Sequence, residues 1–349
     1  MRTGGRLGLL GCALALLAGA PAAAEDGCRR VVLDPPPDQR ISGAWWSGAD
    51  LLLKETARGP LLRYSLDGRR QGTVEDEGLA SLVDLSASPD GSIAINGATR
   101  ITARDATGRV FATYELASLP ADGVRVLNAV EMVTVGEEVV TLSYAELPDG
   151  RRTEALVRAR AVPYRPLRVH WTFDADWRGE IFYRLGGRHL AVAGGEVYFL
   201  RQSEPPAIVR LAEGAPQALE AFPAGFERLP RLPPARGREA VVPLFGALAA
   251  APGAVALAGH GDHLFLLTRR PVEGGTRWTL HRIDPAADRL TASWDLPVRS
   301  SHLTMVPGAE WWAFLERGPV TAAAAQELAG VLLVPARQLA GTGKETLCD

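Results

Sequence analysis

Beyond its first two dozen residues, no stretch of this sequence reaches the roughly 18 unbroken apolar residues that a membrane-crossing helix requires, and no span is expected. Charge of one sign is missing as well. The formal net charge is −2 over 349 residues, with acidic and basic side chains interspersed. There is no basic footprint for nucleic acid and no polyanionic tail. No low-complexity linker divides the chain. The common hydrolase signatures are absent: no G-x-S-x-G elbow, no Walker loop, no H-E-x-x-H and no D-x-D-x-D-G calcium loop. Cysteine is scarce, with three residues at positions 12, 28 and 348.

The N-terminus supplies what the rest lacks. Met1-Arg2-Thr3-Gly4-Gly5-Arg6 is short and basic, Leu7 to Leu17 is apolar, and Gly19-Ala20-Pro21-Ala22-Ala23-Ala24 is a small-residue cleavage site. This is the pattern of a secretory signal, expected to be cut after Ala24, so that residues 1–24 are a signal peptide and 25–349 a single domain, secreted or periplasmic. Leu9-Leu10-Gly11-Cys12 has the form of a lipoprotein box, but too little apolar sequence precedes Cys12, and cutting there would leave an apolar tail exposed. Cleavage after Ala24 leaves Cys28 and Cys348. An even pair in an oxidising compartment is expected to form a disulfide.

The mature sequence repeats. Six times a tight polar turn runs directly into an apolar strand: Gly48-Ala49-Asp50 before Leu51, Pro89-Asp90-Gly91 before Ile93, Gly136-Glu137-Glu138 before Val139, Gly194-Gly195-Glu196 before Val197, Gly261-Asp262-His263 before Leu264, and Gly308-Ala309-Glu310 before Trp311. Glycine and acidic residues suit the turn, and aliphatic and aromatic residues suit a buried strand. A strand rich in small residues precedes each copy, as in Leu190-Ala191-Val192-Ala193, and small side chains fit where strands converge on an axis. Outer hairpins follow at Asp67-Gly68, Thr107-Gly108 and Asp284-Pro285, with fourth strands at 110–114, 169–173, 218–222 and 292–296. Four strands per unit, recurring every 40 to 50 residues or so, predict an all-β fold, a single six-bladed β-propeller of four-stranded antiparallel blades. The last unit lacks a fourth strand. Arg30-Val31-Val32-Leu33 is expected to supply it, closing the ring and covering its edges. Residues 223–252 and a helical-looking 320–328 interrupt the repeat.

Ser88-Pro89-Asp90-Gly91-Ser92-Ile93 resembles the S-P-D-G-x-I turn of TolB-like propellers, and Leu61-Leu62-Arg63-Tyr64-Ser65-Leu66-Asp67-Gly68-Arg69 resembles the outer hairpin of an NHL-type blade. The likeness covers most of the mature chain as a pattern and these stretches residue by residue. It implies a superfold that hosts enzymes, binding modules and scaffolds alike, and so carries no activity with it.

Candidate chemistry has to compete with ordinary structure. Gly259-His260-Gly261-Asp262-His263 has metal-ligating side chains, yet it falls on a repeat turn that already calls for glycine and an acid. His189 and His302 begin inner strands and are expected at one mouth of the central channel. Lys54, Arg201, Arg269, Arg270 and Arg317 fall after second strands, with Glu55, Glu204 and Glu316 beside them. Convergent guanidinium groups would suit a carboxylate, a phosphate or an acidic protein surface, and a solvated rim of paired charges is the plainer reading. One tryptophan of each pair Trp45-Trp46 and Trp311-Trp312 is expected in the core, leaving the other free to stack a ligand. A metal-dependent lactonase would need more inner-strand asparagine than Asn96 and Asn128.

The sequence therefore predicts an exported, monomeric binding or scaffold protein without cofactor. It would recognise a protein, peptide or small anionic ligand on its loop-rich face, through Arg201, Arg269, Arg270, Arg317, His189 and His302. The alternative is a metal-dependent hydrolase or lactonase working in the channel.

Overall fold

The computed structural model describes residues 27–37, 41–55, 60–74, 83–87, 93–97, 100–104, 109–115, 123–136, 138–161, 164–173, 187–201, 205–212, 216–226, 250–318, 328–341 and 347–348. The proposed leader, most of the 223–252 interruption and the expected helix up to residue 327 lie outside them. Leu328 opens a strand instead.

A short strand, β1 (Arg29–Val31), comes first. Sheet 1 holds β2 (Ile41–Ser47), β3 (Asp50–Glu55), β4 (Leu61–Tyr64) and β5 (Arg70–Val74). Sheet 2 holds β6 (Asp84–Ala87), β7 (Ile93–Asn96), β8 (Arg100–Arg104) and β9 (Val110–Glu115). Sheet 3 is longer, with β10 (Arg125–Val135), β11 (Glu138–Glu146), β12 (Arg152–Ala161) and β13 (Tyr164–Phe173). Sheet 4 holds β14 (Leu190–Ala193), β15 (Glu196–Arg201), β16 (Ala207–Arg210) and β17 (Gln217–Ala218). Sheet 5 holds β18 (Gly253–His260), β19 (His263–Val272), β20 (Gly275–Asp284) and β21 (Arg289–Asp295). Sheet 6 holds β22 (His302–Val306), β23 (Trp311–Arg317) and β24 (Leu328–Pro335), completed by β1. Every sheet has four strands, and neighbours are antiparallel and sequential except where β1 pairs with β24, Arg30 opposite Leu332.

The described repeat turns join first and second strands. Gly261 takes φ 59° between β18 and β19, a left-handed conformation that glycine adopts without steric cost. The small residues of the inner strands permit close approach. A Cβ at Gly259 would lie 1.7 Å from the Val192 carbonyl oxygen of β14. Backbone hydrogen bonds cross the same junction, from Leu257 N–H to the Arg188 carbonyl at 2.6 Å and from Gly194 N–H to the Gly261 carbonyl at 3.0 Å.

Apolar side chains fill the space between sheets. Phe265, Leu267 and Trp278 of sheet 5 meet Trp312, Phe314 and Val334 of sheet 6. Leu53 and Leu62 of sheet 1 meet Leu315 and Leu333 of sheet 6. Leu257 and Leu266 pack on Ala191 and Leu200, and Leu142 and Leu156 pack on Val197 and Phe199. Ile101 of sheet 2 packs on Val126 and Val157 of sheet 3. Each large side chain buried this way contributes about 2 to 3 kcal/mol. Sheets 1 and 2 are joined by a polar contact, the Trp45 indole donating to Asp84 Oδ1 at 3.0 Å.

Two elements differ from expectation. The fourth strand of sheet 4 ends at Ala218 rather than 222, because the N–H groups of Glu220 and Ala221 donate to the Asp288 carboxylate of sheet 5, both at 2.9 Å, instead of continuing the ladder. A helix that the repeat pattern did not predict, α1 (Ala336–Ala340), starts directly after Pro335 and buries Ala336 and Leu339 in the sheet 5–sheet 6 core. Beside it Cys28 and Cys348 are joined by a disulfide across 320 residues of chain, with Cα atoms 5.2 Å apart.

Candidate functional site

In each sheet the first strand begins at the same edge where the second strand ends, and in five of the six sheets buried polar or charged side chains collect there. Lys54 and Glu55 end β3, Asp84 begins β6, His189 precedes β14, Arg269 lies toward the end of β19, His302 begins β22, and Glu316 and Arg317 end β23. All are buried. Burying a charge is costly unless a partner offsets it, and the partners divide these residues into two networks.

The first network ties sheets 1 to 4 together. Asp84 accepts hydrogen bonds from the Trp45 indole at 3.0 Å, from Met132 N–H at 2.7 Å and from Arg188 at 2.8 and 3.0 Å. Glu131 accepts from the backbone N–H groups of His189 at 2.9 Å and Leu190 at 2.8 Å, and its Oε2 lies 3.3 Å from His189 Nδ1. Burial raises the Asp84 pKa against the pull of Arg188, and the Glu131 charge adds to the rise. Burial pushes Glu131 the same way, but hydrogen bonding to His189 and the charges of His189 and Arg188 outweigh it and leave its pKa lowered. The two carboxylates raise the pKa of Arg188 despite its own desolvation. His189 is thus held inside an inter-sheet clamp.

The second network joins sheets 6 and 1, with Arg269 of sheet 5 near it. His302 and Arg317 are directly opposite on β22 and β23, and the Arg317 guanidinium reaches over to donate to the Ile41 carbonyl of β2 at 3.2 Å. Arg269 comes from the neighbouring sheet. His302 is 4% exposed, with Nδ1 3.0 Å from the Ser301 hydroxyl. Burial, then the positive charge of Arg269, lowers its pKa to about 4, with the Gly318 carbonyl opposing and Arg317 adding to the fall. The ring is neutral at pH 7. Arg269 is 5% exposed and makes no side-chain hydrogen bond or ion pair with any described residue. Desolvation alone brings its pKa to about 10, still charged at neutral pH.

The six predicted ligand residues do not converge as a set. His302 and Arg317 are paired across β22 and β23, the charge of Arg269 acts on His302 from the neighbouring sheet, and His189 belongs to the other network. Arg201 folds back to donate to the Pro205 carbonyl at 3.1 Å. Arg270 is exposed, its guanidinium 5.3 Å from the Phe226 ring centroid. Consecutive strand residues face opposite ways, so Arg269 and Arg270 cannot serve one anion. Lys54, Glu55 and Glu316 are buried rather than part of a solvated rim, and Glu316 is paired with Arg30 at 2.9 Å. Glu204 and Asn96 have no described side chains.

Of the tryptophan pairs, Trp311 and Trp312 are both buried, Trp311 lying 4.6 Å beneath the Arg29 guanidinium, whereas Trp45 is buried against Asp84 and its neighbour Trp46 is half-buried, donating to the Val306 carbonyl at 3.1 Å. His260, Asp262 and His263 lie at the β18–β19 turn, with His260 edge-on to Trp312 at 6.3 Å. Among the described residues no group of three or more His, Cys, Asp or Glu side chains is placed to hold a metal ion. Repeat reasoning passed over Asp84, Glu131 and Arg188. The available signal was a charged residue opening an otherwise small and apolar inner strand, as in Val83-Asp84-Leu85-Ser86-Ala87.

No protein-family description and no curated protein matches this sequence. Solved structures do. A luciferin-regenerating enzyme superposes with a TM-score of 0.50 at 10% identity, covering 92% of this chain and 99% of its own. Virginiamycin B lyase from Staphylococcus aureus gives 0.43 at 12% identity, covering 88% and 98%. The Neurospora crassa Pan2 WD40 domain gives 0.40 at 10% identity, covering 88% and 77%. The first of these shows the fold: an all-β propeller with four-stranded antiparallel blades.

Proposed function

We propose that this chain is an exported binding protein in which the six four-stranded sheets stand as the blades of one closed propeller, and that the face carrying the buried charges captures an anionic ligand. The observation that carries the reading is Arg269, a buried guanidinium without an anionic partner among the described residues. A fold that leaves such a charge unpaired gives up stability, and a bound anion restores it. The first network makes the surrounding face rigid, which lowers the ordering cost of binding. Closure of the ring is supported by the β1–β24 pairing and by contacts at all six sheet junctions. Export is supported by the leader pattern and fits the disulfide. The test is a thermal-unfolding screen of mature protein against acidic peptides and small organic anions, each beside its neutral amide, at constant ionic strength. Selective stabilisation by anionic members is expected. A response to none of them, or an equal response to the amides, would abandon the reading.

A further inference from the structure

We propose that α1 and the residues after it, up to Cys348, form a strap that docks on sheet 5 through Arg282. This docking, made without sulfur, carries Cys348 to Cys28, so that the bridge closes again in place after reduction. Arg282 is a positioning residue for the disulfide.

The side chains that β20 turns towards sheet 6 begin with Trp278 and Leu280, both in the sheet 5–sheet 6 core. Strand alternation puts Arg282 next on the same face. The position is 7% exposed, and a leucine there would continue the apolar row. The row ends on a cation instead, its guanidinium 5.7 Å from the Trp294 ring centroid. A buried charge is costly unless its donors are used, and here the strap uses them. Nε donates to the Thr291 hydroxyl at 2.9 Å, and that hydroxyl donates back to the Arg282 carbonyl at 3.1 Å, which fixes the direction of the guanidinium. Nη1 then donates to the Leu339 carbonyl at 3.0 Å and the Gly341 carbonyl at 2.9 Å. These lie at the C-terminal end of α1, where a helix leaves carbonyls without partners of its own.

Apolar anchors flank the clamp. Ala336 and Leu339 before it and Leu347 after it are buried in the same core, and Ala336 N–H donates to the Glu310 carbonyl at 2.8 Å. Cys348 follows Leu347 directly. Cys28 comes from the other side, at the head of β1, which pairs with the strand leading into α1. Its Sγ lies 3.4 Å from the Leu347 carbonyl and 3.5 Å from Gln338 Oε1, so strap atoms surround it. Closure from the dithiol takes two exchanges with oxidised glutathione. One thiolate attacks it and expels one reduced glutathione, and the other thiolate attacks the mixed disulfide and expels a second. Both cysteines are oxidised and one oxidised glutathione is reduced to two thiols. The second exchange is intramolecular, and the docked strap sets its effective concentration.

The test equilibrates mature protein, whose only thiols are Cys28 and Cys348, with mixtures of reduced and oxidised glutathione. Free thiols are trapped by alkylation and counted by mass spectrometry, which gives the effective concentration, while circular dichroism follows the sheets. Reduced wild type should stay folded and close its bridge when oxidised glutathione is restored. Arg282→Gln should lower the effective concentration roughly tenfold or more, Thr291→Val should lower it less, and Arg282→Lys should recover part of the loss. Thr268→Val, buried beside His281 in the same sheet, should lower the unfolding temperature and leave the effective concentration unchanged. If Arg282→Gln does not fold, Thr291→Val carries the comparison. An effective concentration unmoved by these changes, or moved as far by Thr268→Val, overturns the strap. So does a reduced wild type that loses its sheets, since the bond itself would then hold the two ends.

Discussion

A strand turns consecutive side chains to opposite faces, and in β19 this buries Arg269 while Arg270 stays in solvent over Phe226. The neighbours of Arg269 decide how titration couples to folding. His302 and His281 are both held neutral with pKa values of about 4. For His281 the cause is burial, opposed by Asp295, and its ring lies between the Thr268 hydroxyl at 2.9 Å and the Ser293 hydroxyl at 2.8 Å. An unfolded histidine binds its proton near pH 6.5. Between about 6.5 and 4 the unfolded chain therefore holds more protons, and stability falls as pH falls through that window. The ceiling is roughly 3 kcal/mol per histidine. Asp84, with its raised pKa, works the other way and softens the fall. Unfolding midpoints measured from pH 7 to 4.5 should drop for the wild type and drop distinctly less for a His281→Gln, His302→Gln protein. Parallel curves for the two would show that these rings do not carry the acid sensitivity.

At the scale of strands, Gly259 supports the contact between two inner strands. A methyl group there would collide with the Val192 backbone, which cannot move without breaking the hydrogen bonds across that junction. Gly259→Ala should cost about 3 kcal/mol, read as a lower denaturant midpoint, while Gly253→Ala, which faces open space, should cost far less. Equal effects would mean that the inner strands are free to part. The strands themselves were legible because their information is local: a turn glycine, an acid, then an apolar run such as Leu264-Phe265-Leu266-Leu267. The end of β17 was not legible, since it depends on Asp288, some 68 residues away. The site was half legible for the same reason. Sequence marks His302 and Arg269 as charged or polar groups at strand ends. The action of the Arg269 charge on His302, and the hydrogen bonding of Asp84 to Arg188 across 104 residues, exist only once the sheets are stacked.

At the scale of the molecule, sheet 6 depends on residues from both ends of the chain. β1 pairs with β24, Arg30 bridges Glu316 and the Pro297 carbonyl, and Tyr64 of sheet 1 donates to the Pro35 carbonyl at 2.8 Å. The disulfide holds this arrangement closed. In the chain-entropy account a 320-residue loop contributes up to about 5 to 6 kcal/mol, and measured bridges more often give 2 to 4. Replacing Cys28 and Cys348 with serine should lower the unfolding temperature by several degrees and leave the β-sheet circular dichroism of the folded protein unchanged. An unaltered midpoint would show that strand pairing alone suffices.

The bridge between Cys28 and Cys348 also makes nearly the whole polypeptide a covalent circle. Cutting a circle once opens it without dividing it. A protease acting at an exposed hairpin such as Glu273–Gly274 would therefore leave a single molecule, its two pieces still joined through sulfur and still packed through the sheet 5–sheet 6 core. Were the chain exported, as proposed, that would be tolerance of damage: a nick would appear as two fragments only after reduction, and the face carrying the buried charges would outlast it.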